Sequence, residues 1–136
     1  MAQMIFVNLP VQDLDASKAF WNKLGFSFNP QFSDESTGCL VISDTIFAML
    51  LTEEKFRTFT APGKDVSDAT KSTEVLITLS RESREGVDEL VDAALAAGGG
   101  AAKEPQDHGF MYGRSFADLD GHHWEVFWMD PAAVQG

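Results

Sequence analysis

Glu125 is the residue whose setting demands the most chemistry. In His123-Trp-Glu-Val-Phe-Trp128, strand alternation puts His123, Glu125 and Phe127 on one face and Trp124, Val126 and Trp128 on the other. A carboxylate facing a concave apolar site must be paired, metal-bound or protonated, because an isolated buried charge is costly. Its chemistry there is that of a ligand or of a general acid or base, and the plain alternative is an edge position open to water. His122 and His123 point to opposite faces, so at most His123 joins Glu125; packing or surface exposure is the ordinary reading for it. His108, in Gln106-Asp-His-Gly109, reads as a turn residue. Glu74 opens an apolar run after a polar stretch, and serves either the site or a solvated strand end. Tyr112 and Arg114 share a face of the penultimate strand. Arg114 could hold a substrate anion or pair with Glu125, and Tyr112 could put a polar tip in an apolar wall. Ordinary pairing on an exposed face is the alternative.

The elements that must position these residues follow from periodicity. Met4–Leu9 reads as a strand with Met4, Phe6 and Asn8 on one face, ending at Pro10. Asp13 and Asp15 offer caps for a helix to Leu24, with Ala16, Phe20 and Leu24 as its apolar stripe and Gly25 at its end. A strand at 26–28, a loop over 29–36, and strands at 38–43 and 45–51 joined by a hairpin come next; a short helical turn starts at Thr52. Residues 60–73 form a polar linker, either a lid or a plain solvated connection. The order then repeats. A strand runs over Glu74–Leu79, and a helix capped near Ser83 places Val87, Leu90, Val91, Ala94 and Leu95 on one stripe. Gly98-Gly-Gly100 ends it, and strands near 110–116 and 123–128 flank the turn Asp118-Leu-Asp-Gly121. Laying Phe6 on Glu74 brings Val11 onto Leu79, so the chain is a βαβββ module written twice: module one about 1–59, linker about 60–73, module two about 74–131. We expect an α+β domain spanning 1–136, its two curved mixed sheets forming a shared cup.

Composition bounds the partners. The chain has 136 residues, 44% hydrophobic, with a net charge of −11, enough for one domain with a normal core. So acidic a surface repels nucleic-acid phosphates and anionic membranes, and no segment reaches the apolar length needed to cross a bilayer. Cys39 is the lone cysteine, read as a small buried hydrophobe that asks for no oxidising compartment. With no basic n-region ahead of an apolar stretch, the expected location is the cytoplasm.

Two motifs carry a resemblance over nearly the whole chain. Val11-Gln-Asp-Leu14 with Ser17, Phe20-Trp21 and Leu24-Gly25-Phe26 is similar to the opening strand–helix–strand of the vicinal oxygen chelate superfamily. Asp118-Leu-Asp-Gly-His-His-Trp-Glu125-Val resembles its closing hairpin. That superfamily groups glyoxalase I, extradiol dioxygenases, fosfomycin-resistance enzymes and bleomycin-binding proteins. The resemblance implies a glyoxalase/bleomycin-resistance fold, homodimers, and a metal held by one ligand from the first and one from the last strand of each module. Carried over by position, it implies Glu74 and Glu125 as metal ligands. Phe6 and Met49 fall where module one would supply the others, and Asn8 shares the face of Phe6.

Two functions follow. In the first, a divalent ion (Ni, Zn, Mn or Mg) on Glu74 and Glu125 polarises a carbonyl while a carboxylate moves a proton between carbons, as in a lactoylglutathione lyase. In the second, a metal-free cup lined by Phe6, Asn8, Met49, Tyr112 and Phe127, with Arg114, His123 and Glu125 as polar groups, binds and sequesters a small molecule such as a drug or antibiotic.

Overall fold

The computed structural model describes residues 2–133, and the chain divides into two compact units with the boundary between Ser67 and Asp68. In the first unit the elements are β1 (Ile5–Val11), α1 (Leu14–Lys23), β2 (Ser27–Phe28), β3 (Thr37–Val41), β4 (Ile46–Thr52) and α2 (Glu53–Arg57). The sheet order is β1-β4-β3-β2, with β1 parallel to β4 and the other pairs antiparallel. Helix α1 begins where Asp13 accepts a hydrogen bond from the Ala16 amide at 3.0 Å, and ends before Gly25, whose φ of 95° suits a residue without Cβ. Its buried stripe is Leu14, Ser17, Phe20 and Trp21, one step round from the expected Ala16–Phe20–Leu24 line. Against it lie Leu9, Leu40, Ala48 and Leu50, all buried.

The opposite face of this sheet carries Phe6, Asn8, Phe47 and Met49, since β1 and β4 pair Phe6 with Phe47 and Asn8 with Met49. The two phenyl rings stack with centroids 4.9 Å apart. Cys39, opposite Met49 on β3, is fully buried, and burial pushes its thiol pKa up. Strand β1 runs through Pro10 to Val11 rather than stopping before it; as an edge strand it tolerates a residue that cannot donate to the ladder.

The second unit repeats the plan with β5 (Leu76–Ser80), α3 (Arg84–Ala96), β6 (Gly100–Ala101), β7 (Gln106–Asp107), β8 (Met111–Ala117) and β9 (His123–Met129). Its order, β5-β9-β8-β6, mirrors that of the first sheet, and β7 adds a short pairing to β8. Strand β5 is parallel to β9. Val87, Leu90, Val91 and Ala94 of α3 are buried, as are Phe116, Trp124 and Val126 of the sheet. The two mixed sheets, each with its helices, establish the expected α+β class. Strand β5 begins at Leu76, not Glu74, because its ladder with β9 starts at the Leu76–His123 pair. Among the described residues no helix is long and apolar enough to cross a membrane.

Candidate functional site

Three strands of the second unit set one row of side chains. Register places Thr78 of β5 and Ser115 of β8 on either side of Glu125 in β9. By alternation Met111, Gly113, Ser115, His123, Glu125 and Phe127 share the face turned away from α3. Over that face lies a cavity of about 260 Å³, bordered by Thr78, Ser115, Glu125 and Phe127 of the sheet and by Lys103, Glu104 and Gln106 of the β6–β7 segment. That segment is held by the Lys103 amide, which donates to Ser115 Oγ at 2.9 Å.

Glu125 borders the cavity, and its Oε2 lies 2.9 Å from His123 Nε2 beside it, with the Glu125 and His123 side chains 33% and 15% exposed. The sequence reading that paired His123 with Glu125 by parity therefore describes their geometry, and Phe127 stands beside them. Just before β9, Asp118 holds the turn. Its buried carboxylate accepts from Trp124 Nε1 and from the Asp120 and His122 amides, each at 3.0 Å, while desolvation pushes its pKa up. Gly121 fits against the backbone of Ala69 and Thr70, where a Cβ would come within 3.0 Å.

Tyr112 and Arg114 share a face, as expected; it is the α3 side, where they pair with Trp128 and Val126 rather than with Glu125, and Arg114 also borders the cavity. The Tyr112 hydroxyl donates to Asp88 at 2.6 Å, and Arg114 donates to Asp88 and Asp92 at 2.9 Å each. Those aspartates stand one helical turn apart and meet the cation from above. The Tyr112 hydroxyl, and then Arg114, hold Asp88 below the usual carboxylate range. Beside them Arg84 lies 5.2 Å over both the Tyr112 and Trp128 rings and grips Asp107 through two 2.9 Å bonds. Arg84 thereby lowers the Asp107 pKa from 3.8 to about 2.

Glu74 also falls elsewhere. It is exposed ahead of β5. The register partner of Glu125 is Thr78, four residues on, or about 13 Å of extended chain. Matching the core-facing Val7 and Leu9 to Ile77 and Leu79 puts Phe6 on Leu76 and Asn8 on Thr78, two positions beyond the alignment the sequence suggested. In the first unit the corresponding face offers Phe6, Phe47 and Met49, with the Asn8 amide, which donates to Phe6 O at 3.4 Å.

A divalent ion is poorly served by these residues. Glu125 and His123 are one carboxylate and one imidazole already bonded to each other, Thr78 and Ser115 add only neutral hydroxyls, and Glu104 is an exposed carboxylate on the rim. Among the described residues no three His, Cys, Asp or Glu side chains come together in a way that could hold a metal. The donor set does not fit the ion that the resemblance implies.

Residues 3–43 match the family described as bleomycin resistance protein-like N-terminal. A solved structure of a hypothetical protein, SA1046 from S. aureus, is 34% identical, with 94% of this chain and 95% of that one covered and a TM-score of 0.76. A glyoxalase/bleomycin resistance protein/dioxygenase family enzyme from Burkholderia phytofirmans is 21% identical over 94% of this chain and 99% of its own, with a TM-score of 0.78. The chain belongs to the vicinal oxygen chelate superfamily. A bleomycin resistance determinant encoded on transposon Tn5 shares the fold at 18% identity, covering 95% of this chain and 99% of its own, with a TM-score of 0.63. None of the curated proteins matches the chain. Within this superfamily chain, Thr78, Met111, Gly113, Ser115 and the wall of Lys103, Glu104 and Gln106 are cavity residues that the sequence did not single out. Thr78 and Ser115 were recoverable from strand parity once the register with Glu125 was known; the wall carries no periodic signal.

Proposed function

We propose that the second unit binds a small organic molecule over Glu125, with the chain's own side chains making the polar contacts in place of a divalent ion. The observation that carries this reading is Glu125, backed by His123, on the wall of a cavity of about 260 Å³ with Phe127 and Met111 as apolar surface. That volume lies below the ~300–1,000 Å³ usual for drug-sized ligands, so the reading favours a compact molecule. One structural neighbour is named a bleomycin resistance determinant and another a fosfomycin resistance protein from Listeria monocytogenes. Sequestration of a drug or antibiotic is the form of binding that those names suggest.

A second reading, a lyase or isomerase, is favoured by one feature of the same pair. Glu125 uses Oε2 for His123, and its other oxygen makes no hydrogen bond among the described residues, so it is free to take a proton from a bound substrate. We also propose a homodimer: the edge strands β1 and β5 expose Ile5, Phe6 and Leu76. The cytoplasm remains the proposed compartment.

A panel of small polar and aromatic compounds, followed by amide chemical shifts, tests the binding role. Shifts are expected at Thr78, Ser115, Glu125 and Phe127. A panel whose binders all perturb other residues sinks it. The lyase reading requires turnover of the methylglyoxal–glutathione hemithioacetal, lost in Glu125→Gln; inert protein with or without added Ni²⁺, Zn²⁺, Mn²⁺ or Mg²⁺ removes it.

A further inference from the structure

The geometry points to a primary ammonium group, carried on a short apolar chain, as the chemical class this cavity selects. The inference rests on the binding role proposed above and specifies its ligand.

Glu125 has one carboxylate oxygen committed. His123 Nε2 occupies Oε2 at 2.9 Å, which leaves Oε1 as an acceptor with no hydrogen bond among the described residues. Thr78 stands directly across β5 from it, and its hydroxyl likewise makes no hydrogen bond among the described residues. Adjacent strands are about 4.8 Å apart. A donor seated over Glu125 therefore reaches Oε1 and the Thr78 oxygen together. Ser115, on the other side, is buried and already accepts from the Lys103 amide, so it shapes the wall more than it recognises the ligand.

The balance of charge around the cavity selects a cation. Lys103 and Glu104 are both exposed neighbours on the rim and offset one another. Arg114 borders the same space, but its guanidinium is bound to Asp88 and Asp92 on the other side of the sheet. Glu125 keeps an oxygen that His123 does not take, within a chain of net charge −11 that draws cations toward it. The type of cation is set by the walls. Quaternary ammonium groups are recognised by aromatic cages, and among the described residues Phe127 is the single aromatic ring bordering this cavity. A primary ammonium instead brings three N–H donors, which suit fixed oxygen acceptors. Met111 and Phe127 supply the surface for its alkyl chain.

Four probes of equal chain length separate the possibilities: n-hexylammonium, hexyltrimethylammonium, hexanoate and hexanol, each titrated into the full chain near pH 7 and followed by backbone amide shifts. We expect hexylammonium to perturb Thr78, Glu125 and Phe127 and to bind more tightly than the other three. Glu125→Gln should weaken it about tenfold or more, the scale of losing a charged hydrogen bond, and Thr78→Val by about threefold. A dispersed amide spectrum of each variant establishes that it is folded. Equal binding of hexylammonium and hexyltrimethylammonium overturns the role of the N–H donors. Preference for hexanol or hexanoate at those amides, with Glu125→Gln inert, overturns the cation class while the binding role stands. Silence of all four probes at those amides overturns both.

Discussion

Asp118 and Glu125 stand in one short stretch of chain, and their surroundings give them opposite work. Asp118 is buried under three donors, the Trp124 indole and the amides of Asp120 and His122. Glu125 has a single hydrogen-bond partner among the described residues and an open cavity above it. Replacing Asp118 with Ala strands those donors, and we expect a loss of about 2–4 kcal/mol in urea unfolding. A loss under about 1 kcal/mol would mean that water takes over the carboxylate's bonds. At this scale the sequence showed half of the site. Alternation grouped Glu125 with His123 and Phe127 correctly, since all three lie on one strand. It grouped Tyr112 with Arg114 as well, but their face depends on register with β9, and a one-residue offset turns every side chain over. The aspartates that claim Arg114 were visible as Asp88 and Asp92, at helical spacing beside the core positions Val87 and Val91.

The elements are joined by clamps with distinct sensitivities. Strand β7 is two residues long and is tied to α3 by the Arg84–Asp107 pair. The folded pKa of Asp107 is depressed to about 2. Its contribution is therefore complete above the unfolded value near ~4 and fades as pH falls toward the folded one. Asp88 is shifted in the same direction. An acid titration of amide protection over 103–109 should show wild type losing protection through that window. Asp107→Asn should be weaker at neutral pH and flatter in acid; parallel curves would remove Asp107 from the acid response. Glycines give a second comparison. Gly25 and Gly121 both have positive φ, but a Cβ at Gly25 meets open space while one at Gly121 meets Thr70 and Ala69 backbone at 3.0–3.1 Å. Gly25→Ala should cost about 1 kcal/mol and Gly121→Ala clearly more, read by denaturant midpoints. Helices and long strands were legible because burial imposes a period. The start of β5 was not, because Glu74 and Val75 continue its composition with no partner in β9.

At the scale of the whole chain, repetition of one strand order in two sheets was written in the element order and in the opening and closing motifs. The cavity wall was not, since it depends on where a two-residue strand meets β8. Net charge acts at this scale too. With −11 to disperse, raising salt from low ionic strength to about 0.15 M, where the Debye length is about 8 Å, should raise Tm by screening self-repulsion. A falling Tm would assign the larger share to local ion pairs such as Arg114 with Asp88 and Asp92. The first unit also contains its own clock. Cys39 is fully buried and its thiol is pushed away from the reactive thiolate. Alkylating reagents therefore reach it only when its surroundings open. As the sole cysteine in the sequence, it needs no engineered label, and its trapping rate times the opening that uncovers it.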